Sequence, residues 1–178
     1  MRPTPFFDGH FILQLLSSPA VYLLVLPGLM FVFRRDGEDF SRQVLKGILC
    51  LPVIATLGLV FQKLHPSGGF LLYALIAMWG WKKELKTPRW HWDYLVYLLI
   101  LPASLLPITM FDALNYQLRY PRAIHNIGIS VIDGSCIHTS LLNFHHVFLS
   151  AFGFSPMVLN AAAIGVQAAA LVLILRLF

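Results

Sequence analysis

Apolar runs long enough to cross a bilayer, parted by short charged loops, recur along this chain, and that alternation constrains its fold more than any single motif. The clearest run, DYLVYLLILPASLLPITMF from Asp93 to Phe111, carries its only charge at its edge. A helix rises about 1.5 Å per residue, so ~20 apolar residues cross the ~30 Å of hydrocarbon. Runs of this kind fall at about 10–33, 45–62, 67–81, 93–111, 127–152 and 157–177. The expectation is an all-α membrane protein, a single polytopic domain over residues 1–178 built as a bundle of about six transmembrane helices. Composition agrees: 58% of residues are hydrophobic and 12% charged, with a mean hydropathy of +0.73, where soluble domains carry about 25% charged residues.

The formal charge of +5 does not point to nucleic acid, because the basic residues sit in loops between apolar runs rather than along one polar surface. Arg34, Arg35, Arg42 and Lys46 fall in the first loop, and Lys82, Lys83, Lys86 and Arg89 in the third. The other side holds Arg2, Lys63, Arg119 and Arg122. By the positive-inside rule, loops 34–46 and 82–89 face the cytoplasm and six crossings leave both termini outside, in a plasma or inner membrane. The two basic loops also suit anionic head groups. Trp79, Trp81, Trp90 and Trp92 gather at one predicted interface, as an aromatic belt does.

Proline and glycine set the punctuation. Pro19 and Pro27 predict a kinked first segment, and Pro52, Pro102 and Pro107 predict bends in the second and fourth. His65-Pro66-Ser67-Gly68-Gly69 reads as a tight turn, which leaves the third segment, ending at Trp81, short for a crossing. In the last segment, Ala161 and Gly165 have the spacing that lets helix backbones approach closely in lipid. Cys50 and Cys136 both lie in apolar segments, so no disulfide framework or CxxC motif arises.

Segment five is the exception in polarity. Ionisable groups at membrane depth cost roughly 2.5–3.5 kcal/mol each on insertion scales, which makes their presence the default sign of a site. On one continuous helix, Asp133, Cys136, Ser140 and Asn143 share a face while Ser135, His138, His145 and His146 lie roughly opposite. A helix polar on two sides is either enclosed by protein or broken, and Gly128 and Gly134 place the break near Ile132-Asp133-Gly134. As a site, Asp133, His138, His145 and His146 supply acid/base groups or ligands for a divalent metal. Asn143, Ser140, Asp112, His125 and His10 are the candidates to line a substrate pocket or polar path. The same side chains serve equally as hydrogen-bonded ties between helices.

Cys136-Ile137-His138-Thr139-Ser140-Leu141-Leu142, with Gly9-His10, resembles short elements of small membrane-bound metal-dependent hydrolases. The Pro-Asp-x-Asp-His element of such enzymes is absent, as are HExxH, Walker A, GxGxxG and GxSxG patterns. Three functions follow as expectations. The first is a non-catalytic membrane subunit that assembles with itself or a membrane partner and forms a polar path. The second is a membrane-embedded metal-dependent hydrolase or transferase acting on a lipid-linked substrate, and the third a small-molecule transporter or binding subunit.

Overall fold

The computed structural model describes residues 16–35, 38–86, 92–105, 119–127 and 140–177. Every regular element among them is a helix: α1 (Leu16–Phe31), α2 (Phe40–Leu49), α3 (Leu51–Leu64), α4 (Gly68–Lys86), α5 (Trp92–Leu99), α6 (Leu101–Leu105), α7 (Arg119–Ile127), α8 (Ser140–Ser150) and α9 (Pro156–Leu177). The all-α class expected from the sequence is thus observed. By length and composition, one described helix is able to cross a membrane, Pro156–Arg176 of α9, with a mean hydropathy of 2.2. The α2 and α3 helices pass the same test as a pair, but bend by 58° between Leu49 and Leu51, just ahead of Pro52. The α1 helix and the Trp92–Ala103 stretch are apolar but shorter.

Local sequence explains these shapes. Pro27 cannot donate a backbone hydrogen bond. Upstream of it α1 widens into a π-helical turn, Val21–Val25, in which the Leu26 N–H reaches back to the Val21 carbonyl. The proline is thereby absorbed by a register slip. The sequence reads the charged stretch from Arg34 to Lys46 as a loop, yet α2 begins at Phe40, behind an extended Asp39. Phe40 and Val44, one turn apart, are fully buried, so an amphipathic stripe hides among the mixed charges. Segment three is likewise longer than expected, because α4 continues through Lys82 and Lys83 to Lys86. Lys83 has partners there, donating to the Val32 carbonyl at 2.7 Å and lying over the Trp79 ring.

The α9 helix is the hub and touches α1, α2, α5, α6 and α8. Its small residues permit this, with Ala161, Ala162, Ala168 and Ala169 all buried. At Gly165 a Cβ would collide with Leu26 and press on the Tyr97 hydroxyl. There, α1 and α5 are bound by a reciprocal pair: Tyr22 Oη donates to the Tyr97 carbonyl at 2.6 Å, Tyr97 Oη donates to the Tyr22 carbonyl at 2.7 Å, and the rings stack at 4.5 Å. The α1–α4 crossing is closer still. A Cβ on Gly80 would run into the Gly28 carbonyl oxygen, and one on Gly28 would lie 2.7 Å from the Ala77 carbonyl oxygen.

The bundle has two polar ends. At one, Phe31, Phe40 and Tyr94 bring the end of α1 and the starts of α2 and α5 together. Three ion pairs gather there: Arg34–Glu84 at 2.6 Å, Asp93–Arg176 at 2.7 Å, and Glu38–Lys46. At the other, the α3–α4 turn meets α7 and the α8–α9 turn. This differs from the expected arrangement in one respect. Six crossings would separate Arg176 from the loop at 82–89, whereas its ion pair sets it against Asp93, in the first turn after that loop.

Candidate functional site

The reason lies in segment five. A continuous helix would separate residues 125 and 150 by about 37 Å, yet His125 Nδ1 lies 3.0 Å from the Ser150 carbonyl oxygen. The described parts of the segment are therefore two helices, α7 and α8, packed on each other, so the broken form of segment five is the one observed. The expected break at Ile132–Gly134 lies outside the described residues.

Where α7 and α8 meet the end of α3, a polar cluster forms. Gln62 and Ser150 are buried, at 8% and 0% exposure, and His125 is half-buried. Gln62 Nε2 stands 3.0 Å from His125 Nδ1, Ser150 Oγ stands 3.0 Å from Gln62 Oε1, and Ser150 Oγ also reaches the Val147 carbonyl at 2.7 Å. A hydroxyl has one proton to give, and a neutral ring nitrogen either donates or accepts. With the amide nitrogen toward the ring, Nδ1 must accept, which sets its lone pair against the Ser150 carbonyl. The serine proton then also faces two acceptors.

Exchanging the amide nitrogen and oxygen of Gln62, which have nearly the same shape, removes both conflicts. Nδ1–H donates to the Ser150 carbonyl and the Gln62 oxygen, the amide nitrogen donates to Ser150 Oγ, and Oγ–H donates to Val147. One tautomer satisfies the whole cluster, the one protonated at Nδ1. The remaining ring nitrogen, Nε2, then carries a lone pair able to take a proton, a hydrogen bond or a metal ion. The Phe154 ring flanks the imidazole at 6.4 Å between centroids.

Four of the other predicted residues share one helix, α8. His145 and His146 sit on α8, half-buried and buried respectively, with ring centroids 6.0 Å apart. Neighbouring positions on a helix are about 100° apart, and the two ring planes are inclined by 50°. Ser140 and Asn143 lie in the first turns of α8. Asp133, His138, Asp112 and His10 fall outside the described residues. Among the described residues no three His, Cys, Asp or Glu side chains gather as a metal would require.

From the expected set, the structure joins His125 to two further residues, Gln62 and Ser150. Sequence reasoning passed over both. Gln62 carried a legible signal, as the one amide on the otherwise apolar α3 before its closing Lys63. Ser150 carried none.

No family model, no curated protein and no solved structure matches this chain.

Proposed function

We propose that the chain is an integral membrane subunit, a helical bundle that works by assembling with itself or with a membrane partner. One observation carries this reading: the large apolar side chains turned outward. Leu49, Val53, Leu57 and Val60 on α2 and α3, Leu71, Leu75 and Met78 on α4, Leu99 at the end of α5, and Ile174 and Leu175 on α9 are all at least 45% exposed. Water penalises such a surface around several faces of one small chain, and lipid does not. The interior polar groups support the same reading, because Tyr22 with Tyr97, Arg34 with Glu84, and Gln62 with Ser150 each tie one helix to another.

Within that reading we infer five crossings and one re-entrant helix pair. The crossings are α1, α2–α3, α4, α5–α6 and α9, and α7–α8 enters and leaves at the same end. The basic end, with Arg34, Lys46, Lys83 and Arg176, then faces the cytoplasm, and Leu16 lies near the opposite surface. Single-cysteine labelling tests this directly. A cysteine placed just after Arg176 is expected to be protected from an impermeant maleimide in intact cells, together with one at Lys86. Labelling of the first but not the second would restore six crossings.

Assembly is tested by cross-linking in native membranes and by mass measurement of the purified protein in detergent. A strictly monomeric chain that co-purifies with nothing would refute the subunit reading. The enzyme alternative predicts stoichiometric zinc, iron or manganese in the purified protein, lost on joint replacement of Asp133, His138, His145 and His146.

A further inference from the structure

At the basic end a cavity of about 270 Å³ opens between α1, α2 and α4, lined by Val32, Phe33, Arg34, Arg35, Lys46 and Lys83. Four of its six lining residues are cations and none is an acid. The nearby carboxylates are already engaged. Glu84 holds Arg34 at 2.6 Å, and Glu38, bonded to Lys46, also feels Arg35 and Arg42, so one carboxylate answers three cations. Lys83 spends one proton on the Val32 carbonyl, at 2.7 Å, and lies over the Trp79 ring. Arg35 is exposed and has no carboxylate bonded to it among the described residues. Among the described residues, the cavity thus has more positive charge than the acids beside it neutralise.

About one helical turn away along α1 and α2, Leu29, Met30, Val44, Gly47 and Ile48 line, with residues of α3, α8 and α9, a narrow apolar cleft of about 50 Å³. Leu45 and Leu49, on the outer side of α2 at this depth, are 48% and 70% exposed. An occupant approaching from the bilayer meets cations at the polar boundary and hydrocarbon directly beneath. That order of charge and apolar surface matches one class of molecule.

We propose that this site binds an anionic phospholipid, with its phosphate among Arg35, Lys46 and Lys83 and an acyl chain against the α1–α2 groove. Basic pockets between membrane helices on the cytoplasmic side are suited to such head groups. The Trp79 and Trp81 rings, beside Lys83 and packed on Phe31 respectively, lie close enough to report occupancy. The proposal rests on the membrane reading above, and its test keeps the two apart.

The full chain is reconstituted into phosphatidylcholine vesicles holding a minor fraction of brominated phosphatidylglycerol, or of brominated phosphatidylcholine at the same fraction, and tryptophan quenching is followed. The anionic lipid is expected to quench at markedly lower fraction. With each cation near the surface worth about fivefold in binding, Arg35→Gln with Lys83→Gln lowers the preference roughly 25-fold, while Lys83→Arg keeps it. Equal quenching by the two lipids, or an unchanged preference in the double variant, overturns the proposal. Loss of preference on adding inorganic phosphate at matched ionic strength assigns the site to a soluble anion and overturns the lipid. A chain that fails to float with the vesicles refutes the membrane reading instead.

Discussion

Replacing Arg34 by leucine strands a carboxylate. The Arg34 and Glu84 side chains are 5% and 9% exposed, and the guanidinium donates to Glu84 Oε2 at 2.6 Å and also to the Glu84 and Lys83 carbonyls at 3.1 and 3.4 Å. Removing one partner of a buried pair costs about 3–5 kcal/mol, because the other charge stays desolvated, whereas replacing both by apolar residues is often close to neutral. Arg34→Leu is therefore expected to lose about 3–5 kcal/mol, a factor of roughly 150 to 5,000 in the folding equilibrium. Glu84→Leu loses less, since Arg34 keeps the two carbonyls that close α4. The double variant stays within about 2 kcal/mol of the parent, giving a coupling of about 2 kcal/mol or more. Reversible unfolding in mixed dodecyl sulfate micelles, followed by tryptophan fluorescence, measures all four corners of the cycle. Single losses below about 0.5 kcal/mol that simply add would place the pair in water and refute the burial argument.

Gly80→Ala is expected to destabilise by about 1–3 kcal/mol through overpacking of the α1–α4 crossing. Gly47→Ala, whose Cβ would meet only Met30 Cγ at 3.8 Å, stays near neutral in the same assay. Lys46 holds the Glu38 carboxyl below its usual value through their hydrogen bond, against an opposing contribution from burial. A depressed folded value means that the pair's stabilisation is present above the ordinary glutamate range and is lost as pH falls through the lowered value. The difference between parent and Glu38→Gln should thus be constant near neutrality and vanish in acid. Gln62→Leu removes the amide that joins His125 to Ser150 while each keeps a carbonyl partner, and is expected to cost about 1 kcal/mol. A variant at His125 that abolishes a cellular activity while the fold stays intact would show instead that its Nε2 does chemistry.

The fold was legible where a signal is local. Hydropathy alone predicts helices throughout, and Pro52 and Pro102 mark where the observed helices break. The Gly165 spacing marks a close approach that the structure contains. Elements failed where the signal was long-range or mixed. The α2 stripe of Phe40 and Val44 was masked by intervening charges, and the last turns of α4 were hidden by lysines whose reach composition does not convey. The return of segment five was illegible because only the meeting of His125 with Ser150 reveals it, and that contact joins two helices. The same holds for the candidate site: His125 stood out by its chemistry, but its partners are set by packing. Sequence pattern cannot pair a serine on α8 with a glutamine on α3.

The central position of α9 also sets a schedule. The α1, α2, α5, α6 and α8 helices all precede it in the chain, so each leaves the ribosome before the surface it will pack against exists. On the proposed membrane reading, those helices insert first and associate afterwards. Until Pro156 and the residues beyond it emerge, the Tyr22–Tyr97 pair lacks the Gly165 notch that receives it, and Asp93 awaits Arg176. Until then the small-residue surface of α9 that these helices share is missing, and their contacts with it close together once it is made.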